Sequence, residues 1–262
     1  MAGYWKNGTF YNLGDASAKQ SFATGLCISG NDVYISGWYC KTTWDEPTPI
    51  YWKNGVAVDL PAKGATGDGY ANAYGITVSG NDVYVCGAYR IAKDRYAACY
   101  WKNKVLNTFS DNTYESAARA IPVANGVVHL AGTSTPSLFP FPVRKPAVWN
   151  GGKLNMLDIG TYHSGVAYVI TVSGNDIYVA GTATGTSDLA LYWKNGTMTA
   201  ITNSEYGMAI ALDGPDVFIG GALRTNVNVG ENFATYWKNG LQLFSHNSGT
   251  DRSRIFDILV IK

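Results

Sequence analysis

The chain has 262 residues, 46% of them apolar and 13% aromatic, with 30 glycines. Twenty Lys and Arg stand against 19 Asp and Glu, a balance that leaves no electrostatic footprint for nucleic acid or for an anionic membrane surface. No run of 18 or more apolar residues occurs, and the opening MAGYWKNGTF lacks the basic and apolar regions of a secretory signal, so no spanning helix is predicted and the compartment stays open.

In chain order the first feature is YWKNG at 4–8, which returns at 51–55, 192–196 and 236–240, with YWKNK at 100–104 and VWNGG at 148–152. The six tryptophans, Trp5, Trp52, Trp101, Trp149, Trp193 and Trp237, are 44–49 residues apart. Self-similarity at that period predicts a solenoid or a propeller. Between the tryptophans runs a second motif, SGNDVYISG at 29–37, SGNDVYVCG at 79–87, ANGVVHLAG at 124–132, SGNDIYVAG at 173–181 and DGPDVFIGG at 213–221. Each reads as an apolar run, a Gly/Asn/Asp turn and a β-branched and aromatic run, hence a β-hairpin.

One repeat predicts strand a at 73–78, strand b at 83–86, strand c at 98–102 and strand d near 105–109. Four short antiparallel strands per repeat, without helical periodicity, predict an all-β chain of the β-propeller type. The Asn and Gly of KNG supply the positive φ of a two-residue turn. The recurrent Trp is expected to pack between neighbouring blades as scaffold. The repeats run over about 21–60, 70–109, 116–157, 166–201 and 206–244. There are six c–d hairpins and only five a–b hairpins, and FDILVIK at 256–262 reads as a sixth strand a. Six blades are therefore expected, the incomplete sixth closed by residues 254–262 and 3–12, which hides the edge of each. Five blades, or a larger ring completed by another chain, are the alternatives.

YWKNG followed by VSGNDVYVCG or VSGNDIYVAG resembles the repeats of bacterial β-propeller proteins with WKNG-type motifs, and the resemblance covers nearly the whole chain. It implies the fold and little about activity, because propellers carry enzymes, lectins and scaffolds alike.

Turns a–b and c–d lie at one end of such a blade and are nearly invariant here. The b–c and d–a connections lie at the other end and vary, so function is expected there. Outside the repeat pattern on that face stand Trp38, Tyr39, Trp44, Asp45, Tyr89, Arg90, Arg95, Tyr96, Arg144 and Arg224. Aromatic platforms beside planar polar groups suit carbohydrate or protein. Phe139, Phe141, Glu46, Asp94 and Glu231 accompany them.

Chemistry is weaker. His129 falls at a strand b aromatic position, and His163 and His246 have no metal-ligand spacing near them, so neither a metal nor any other cofactor is expected. GATGDG at 64–69 has no strand-to-helix context. Asp32, Asp82, Asp176 and Asp216 are expected to bond their own turns. Cys27, Cys40, Cys86 and Cys99 form neither a disulfide framework nor a metal set. The sequence thus predicts a monomeric, non-enzymatic binding or scaffold propeller for a glycan or protein. A polysaccharide hydrolase or lyase using Asp45, Glu46, Asp188, Glu205 and Glu231 is one alternative. An assembly module completed in trans is the other.

Overall fold

A computed structural model describes residues 1–14, 18–41, 47–62, 70–93, 95–109, 115–136, 143–226, 231–246 and 253–261. Strands β1 (Gly3–Lys6) and β2 (Thr9–Asn12) form a hairpin, and five larger sheets follow. The first holds β3 (Gln20–Ser29), β4 (Asp32–Cys40), β5 (Thr48–Lys53) and β6 (Val56–Asp59). The second holds β7 (Ala71–Ser79), β8 (Asp82–Ala92), β9 (Arg95–Lys102) and β10 (Val105–Thr108). The third holds β11 (Glu115–Ala120), β12 (Val123–Ala124), β13 (Val127–Thr135), β14 (Lys145–Asn150) and β15 (Lys153–Met156). The fourth holds β16 (Ser164–Ser173), β17 (Asp176–Thr184), β18 (Leu189–Lys194) and β19 (Thr197–Ala200). The last holds β20 (Tyr206–Asp213), β21 (Asp216–Asn226), β22 (Glu231–Lys238) and β23 (Leu241–His246).

Strand order follows chain order in every sheet. In the third, Pro122 separates β11 from β12 because it has no N–H for the ladder, while its carbonyl still accepts from His129 N–H at 3.0 Å.

The turns carry the predicted chemistry. Asn7, Asn54, Asn103, Asn195 and Asn239 all adopt φ of 47–51°, the left-handed conformation that lets a two-residue turn match the twist of its strands. Strand a of four sheets slips by one residue at a common place, between Ala23 and Gly25, Ala73 and Gly75, Ala167 and Val169, and Gly207 and Ala209. This bulge drives the Phe22, Asn72, Val166 and Tyr206 carbonyls onto Gly37, Gly87, Gly181 and Gly221, leaving no space for a Cβ. The closing glycine of the SGNDVYVCG motif is thereby explained.

Strand b is longer than expected. It continues to Cys40 in β4 and to Ala92 in β8, so Trp38, Tyr39, Tyr89 and Arg90 lie on strands rather than in loops. The reason is that pairing with strand c persists beyond the glycine, as in Tyr39 with Thr48 and Arg90 with Tyr96.

The chain divides into two compact units, residues 1–130 with 150–154 and residues 131–149 with 155–262. In the first, Leu60 and Ala62, which follow β6, pack with Tyr34, Ile76, Val85 and Trp101. The Trp101 indole N–H donates to the Pro61 carbonyl at 2.7 Å. Ala2 and Leu13 beside the β1–β2 hairpin pack with Ile35 and Trp52 in the same manner. In the second unit Ile201, after β19, packs with Tyr178, Ile210, Ile219 and Trp237. Trp193 there donates to the Asp158 carbonyl at 2.7 Å. Trp52, Trp101 and Trp237 thus each pack with an apolar residue that ends the preceding sheet, and five of the six repeat tryptophans are at most 2% exposed.

Trp5 corrects the expectation that all six are scaffold, since it is 71% exposed. It sits in a sheet of only two strands. Among the described residues β1 pairs β2 and residues 253–261 carry no strand, so the sixth sheet expected from both ends is not seen there. In the four-strand sheets strand a and strand c each bond to strand b and never to each other. The N–H groups of Ser253 and Ile255 donate to the Asn232 and Gly221 carbonyls, at 2.8 and 3.0 Å.

Trp101→Ala is expected to destabilise the chain by about 3–5 kcal/mol and to lower Tm by roughly 10 °C, by loss of transfer energy and creation of a cavity. Trp5→Ala is expected to stay within about 0.5 kcal/mol. Calorimetric melts of the two variants check both.

Candidate functional site

The two ends of each meander are chemically distinct. At the turn end, Asp32, Asp82, Asp176 and Asp216 open strand b, and each is held by the c–d turn of its own sheet. Lys53, Lys102, Lys194 and Lys238 pair with them at 2.8, 2.8, 2.9 and 2.6 Å. The amides of Asn54, Asn103, Asn195 and Asn239 donate to the other carboxylate oxygen at 2.6–2.7 Å. The side-chain oxygens of the same asparagines accept from the N–H of Val33, Val83, Ile177 and Val217, each at 2.9 Å. The Lys ammonium lies 5.2–5.5 Å from the ring centroid of Tyr34, Tyr84, Tyr178 or Phe218.

This clasp corrects the expectation that the aspartates bond only their own turns. It also assigns a second task to the K and N of KNG, which sequence reasoning read as turn chemistry alone. The lysine hydrogen bond, then the asparagine, holds all four carboxyls below the ordinary range. The same contact raises Lys53, Lys102 and Lys194. Among the described residues no three His, Cys, Asp or Glu gather as metal ligands.

At the other end the side chains are diverse. Trp38 stacks on Phe22 with centroids 4.3 Å apart. Tyr39 is buried, its hydroxyl donates to Asp59 Oδ1 at 3.4 Å, and the Lys41 ammonium lies 5.8 Å from its ring centroid. Burial, followed by the Asp59 carboxylate, pushes the Tyr39 phenol up. Beside it is a hollow of roughly 220 Å³, with Leu13, Ile50 and Trp52 on the apolar side and Ser21, Tyr39, Lys41 and Asp59 on the polar side.

The remaining sequence-predicted residues are dispersed. Tyr89 packs in the core with Trp101. Arg90 lies 4.7 Å from the Tyr70 ring centroid, and its Nε donates to the Ala92 carbonyl at 3.2 Å. Arg95 and Tyr96 are half-buried on β9, and Arg144 is exposed. Trp44, Asp45, Glu46, Asp94, Phe139 and Phe141 lie outside the described residues, as do the side chains of Arg224 and Glu231. His129 is buried in β13, and burial lowers its pKa. Cys86 is buried and pushed up to about 12.

Sequence reasoning missed a second polar group. Tyr206 is pushed up by burial, then by Glu205 and by Asp188, while the Arg254 guanidinium opposes this from 4.2 Å above the ring. Asp188 and Glu205 are two of the acids assigned to the enzymatic alternative. A like contact recurs in the first unit, where the Arg119 guanidinium lies 5.6 Å from the Tyr74 ring centroid.

No protein-family model matches the chain, and no curated protein matches it. Among solved structures, the computationally designed Ika8 protein is similar with a TM-score of 0.49 and 18% identity, over 92% of this chain and 65% of that one. The chain therefore spans less than two thirds of that protein. An ulvan lyase, a polysaccharide lyase, gives a TM-score of 0.48 and 10% identity over 92% and 70% of the two chains. An arginine-to-alanine triple mutant of AofleA from Arthrobotrys oligospora gives 0.47 and 14% over 97% and 80%. Likeness at this level transfers no activity to this chain.

The clasp has a signed pH dependence. Carboxyls held below their ordinary value stabilise the fold above about pH 4, and that contribution is lost as pH falls through the folded value. Lysines held above theirs contribute fully below about pH 10 and lose the contribution as pH rises. Tm is expected to be flat between these limits and to fall on either side, with a shallower acid limb in Asp82→Asn, as read by melts over the pH range.

Proposed function

We propose that the chain is a β-propeller that binds a carbohydrate at the loop end of its sheets and performs no chemistry on it. The hollow beside Tyr39 is the observation that supports this reading. It joins an apolar wall to a phenol, an ammonium and a carboxylate, the mixture that suits a sugar ring with its apolar face and its hydroxyls. Burial keeps the Tyr39 phenol protonated, which makes it a hydrogen-bond donor and a poor base. Among the described residues the carboxyls shifted by their surroundings are the four clasp aspartates, which are lowered rather than raised. A glycosidase acid requires a raised value.

A glycan array probed with the intact chain tests the reading, beside Asp59→Asn and Lys41→Ala variants whose melting matches the parent. A specific ligand bound roughly tenfold more weakly by either variant is expected, the cost of leaving a desolvated polar partner unmatched. A glycan bound equally well by all three removes the hollow from the site. Failure to bind any glycan shifts the reading to a protein ligand.

A further inference from the structure

The β1–β2 hairpin is an unfinished copy of the sheets that follow it. In a complete sheet strand c pairs strand b on one side and strand d on the other, whereas among the described residues β1 pairs β2 alone. An open groove of roughly 460 Å³ lies alongside, lined by residues 1–3 and 19–23. An unpaired edge of this kind is a template for an added strand.

Two further observations define what fits the edge. The first is half of a clasp. Lys6 and Asn7 occupy the places of Lys53 and Asn54, and Asn7 has φ 49 like its counterparts. Among the described residues no carboxylate meets either side chain. The third sheet makes this retention informative, because Val127 stands there in place of the aspartate and Asn150 in place of the lysine. Within this chain the two charges are elsewhere kept or lost together. The second observation is an uncovered apolar row on β3. Leu26 and Ile28 are 54% and 66% exposed. Their counterparts are covered: Ile76 is buried with Tyr34 of the preceding strand b, and Ile210 with Tyr178.

We propose that this edge binds an extended strand of another protein, with the sequence Asp, Val or Ile, aromatic, Val or Ile, any residue, Gly. Paired antiparallel to β1, the strand sets its aromatic opposite Lys6, as Tyr34 lies opposite Lys53, and its next apolar residue opposite Trp5, as Ile35 lies opposite Trp52. Its aspartate then meets Lys6 and Asn7, and its aromatic covers Leu26. A second copy of this chain is a poor donor, since its strands of this type, β4, β8, β17 and β21, are each paired on both sides. The edge is separate from the hollow beside Tyr39, so the inference stands independently of carbohydrate binding.

The test titrates the full chain with a synthetic peptide of residues 166–184, VAYVITVSGNDIYVAGTAT. Expected are one peptide per chain and a blue shift of tryptophan emission that is lost in Trp5→Phe. Asp176→Ala in the peptide, or Lys6→Ala in the chain, is expected to weaken binding about threefold, as for an exposed ion pair. Asn7→Gly preserves the turn and is expected to weaken binding about tenfold. Leu26→Asp alters an exposed residue and is expected to abolish binding. No binding, or binding indifferent to Leu26→Asp and Asn7→Gly, overturns the proposal. A homodimer dissolved by Leu26→Asp also overturns it, by assigning the surface to a second copy.

Discussion

Three sheets of this chain, those of Trp52, Trp101 and Trp237, depend on the end of the sheet before to bury the central tryptophan. An indole is too large to be hidden by the strands on either side of it, so it needs a lid from outside its own sheet. Leu13 serves Trp52, Leu60 serves Trp101 and Ile201 serves Trp237. The lid is held by its own backbone. The N–H groups of Leu13, Leu60 and Ile201 donate to the Ala2, Pro49 and Ala190 carbonyls at 2.9–3.0 Å. A buried apolar contact is thereby placed by a hydrogen bond that satisfies a backbone group at the end of strand d. Trp5 is the informative exception, exposed within a two-strand sheet.

The two ends of the sheets divide the labour. Four Asp–Lys–Asn clasps occupy the turn end with nearly superimposable distances. Each pair is exposed and worth little alone. Its geometric effect is larger, because one asparagine side chain ties the carboxylate to a strand b N–H and keeps the two turns of a sheet in step. With that end fixed, the opposite end tolerates Trp38 in one sheet and Arg90 in the next. A rigid frame carrying variable connections is the usual arrangement of a recognition surface.

Much of this architecture is legible in the sequence, because turns and repeats are local signals. Asn103 and the glycine within each SGND turn report backbone conformation directly, and the tryptophan period reports the repeat. Pairwise features are less visible. Nothing adjacent to Asp82 indicates that Lys102 and Asn103 lie against it, 20 and 21 residues away. The extent of strand b is not legible either, since AYRIA after Gly87 lies beyond the repeated motif while its pairing with β9 makes it a strand. Arg254 reaches Tyr206 across 48 positions of sequence, and no local pattern marks that contact. Strand count alone does not fix a closing sheet, because strands a and c of the observed sheets are joined through strand b between them.

One hydrogen bond recurs at four junctions. The N–H of Ala2, Ala98, Ala190 and Ala234 donates to the hydroxyl of Ser21, Ser116, Ser204 and Ser253, at 2.8–2.9 Å in each case. At two of them, Ala2–Ser21 and Ala190–Ser204, the bond is accompanied by an apolar lid, Leu13 or Ile201, so these two junctions are built alike. A unit set between such junctions meets the same bond and the same lid. Stability then rises or falls by one unit and one junction at a time.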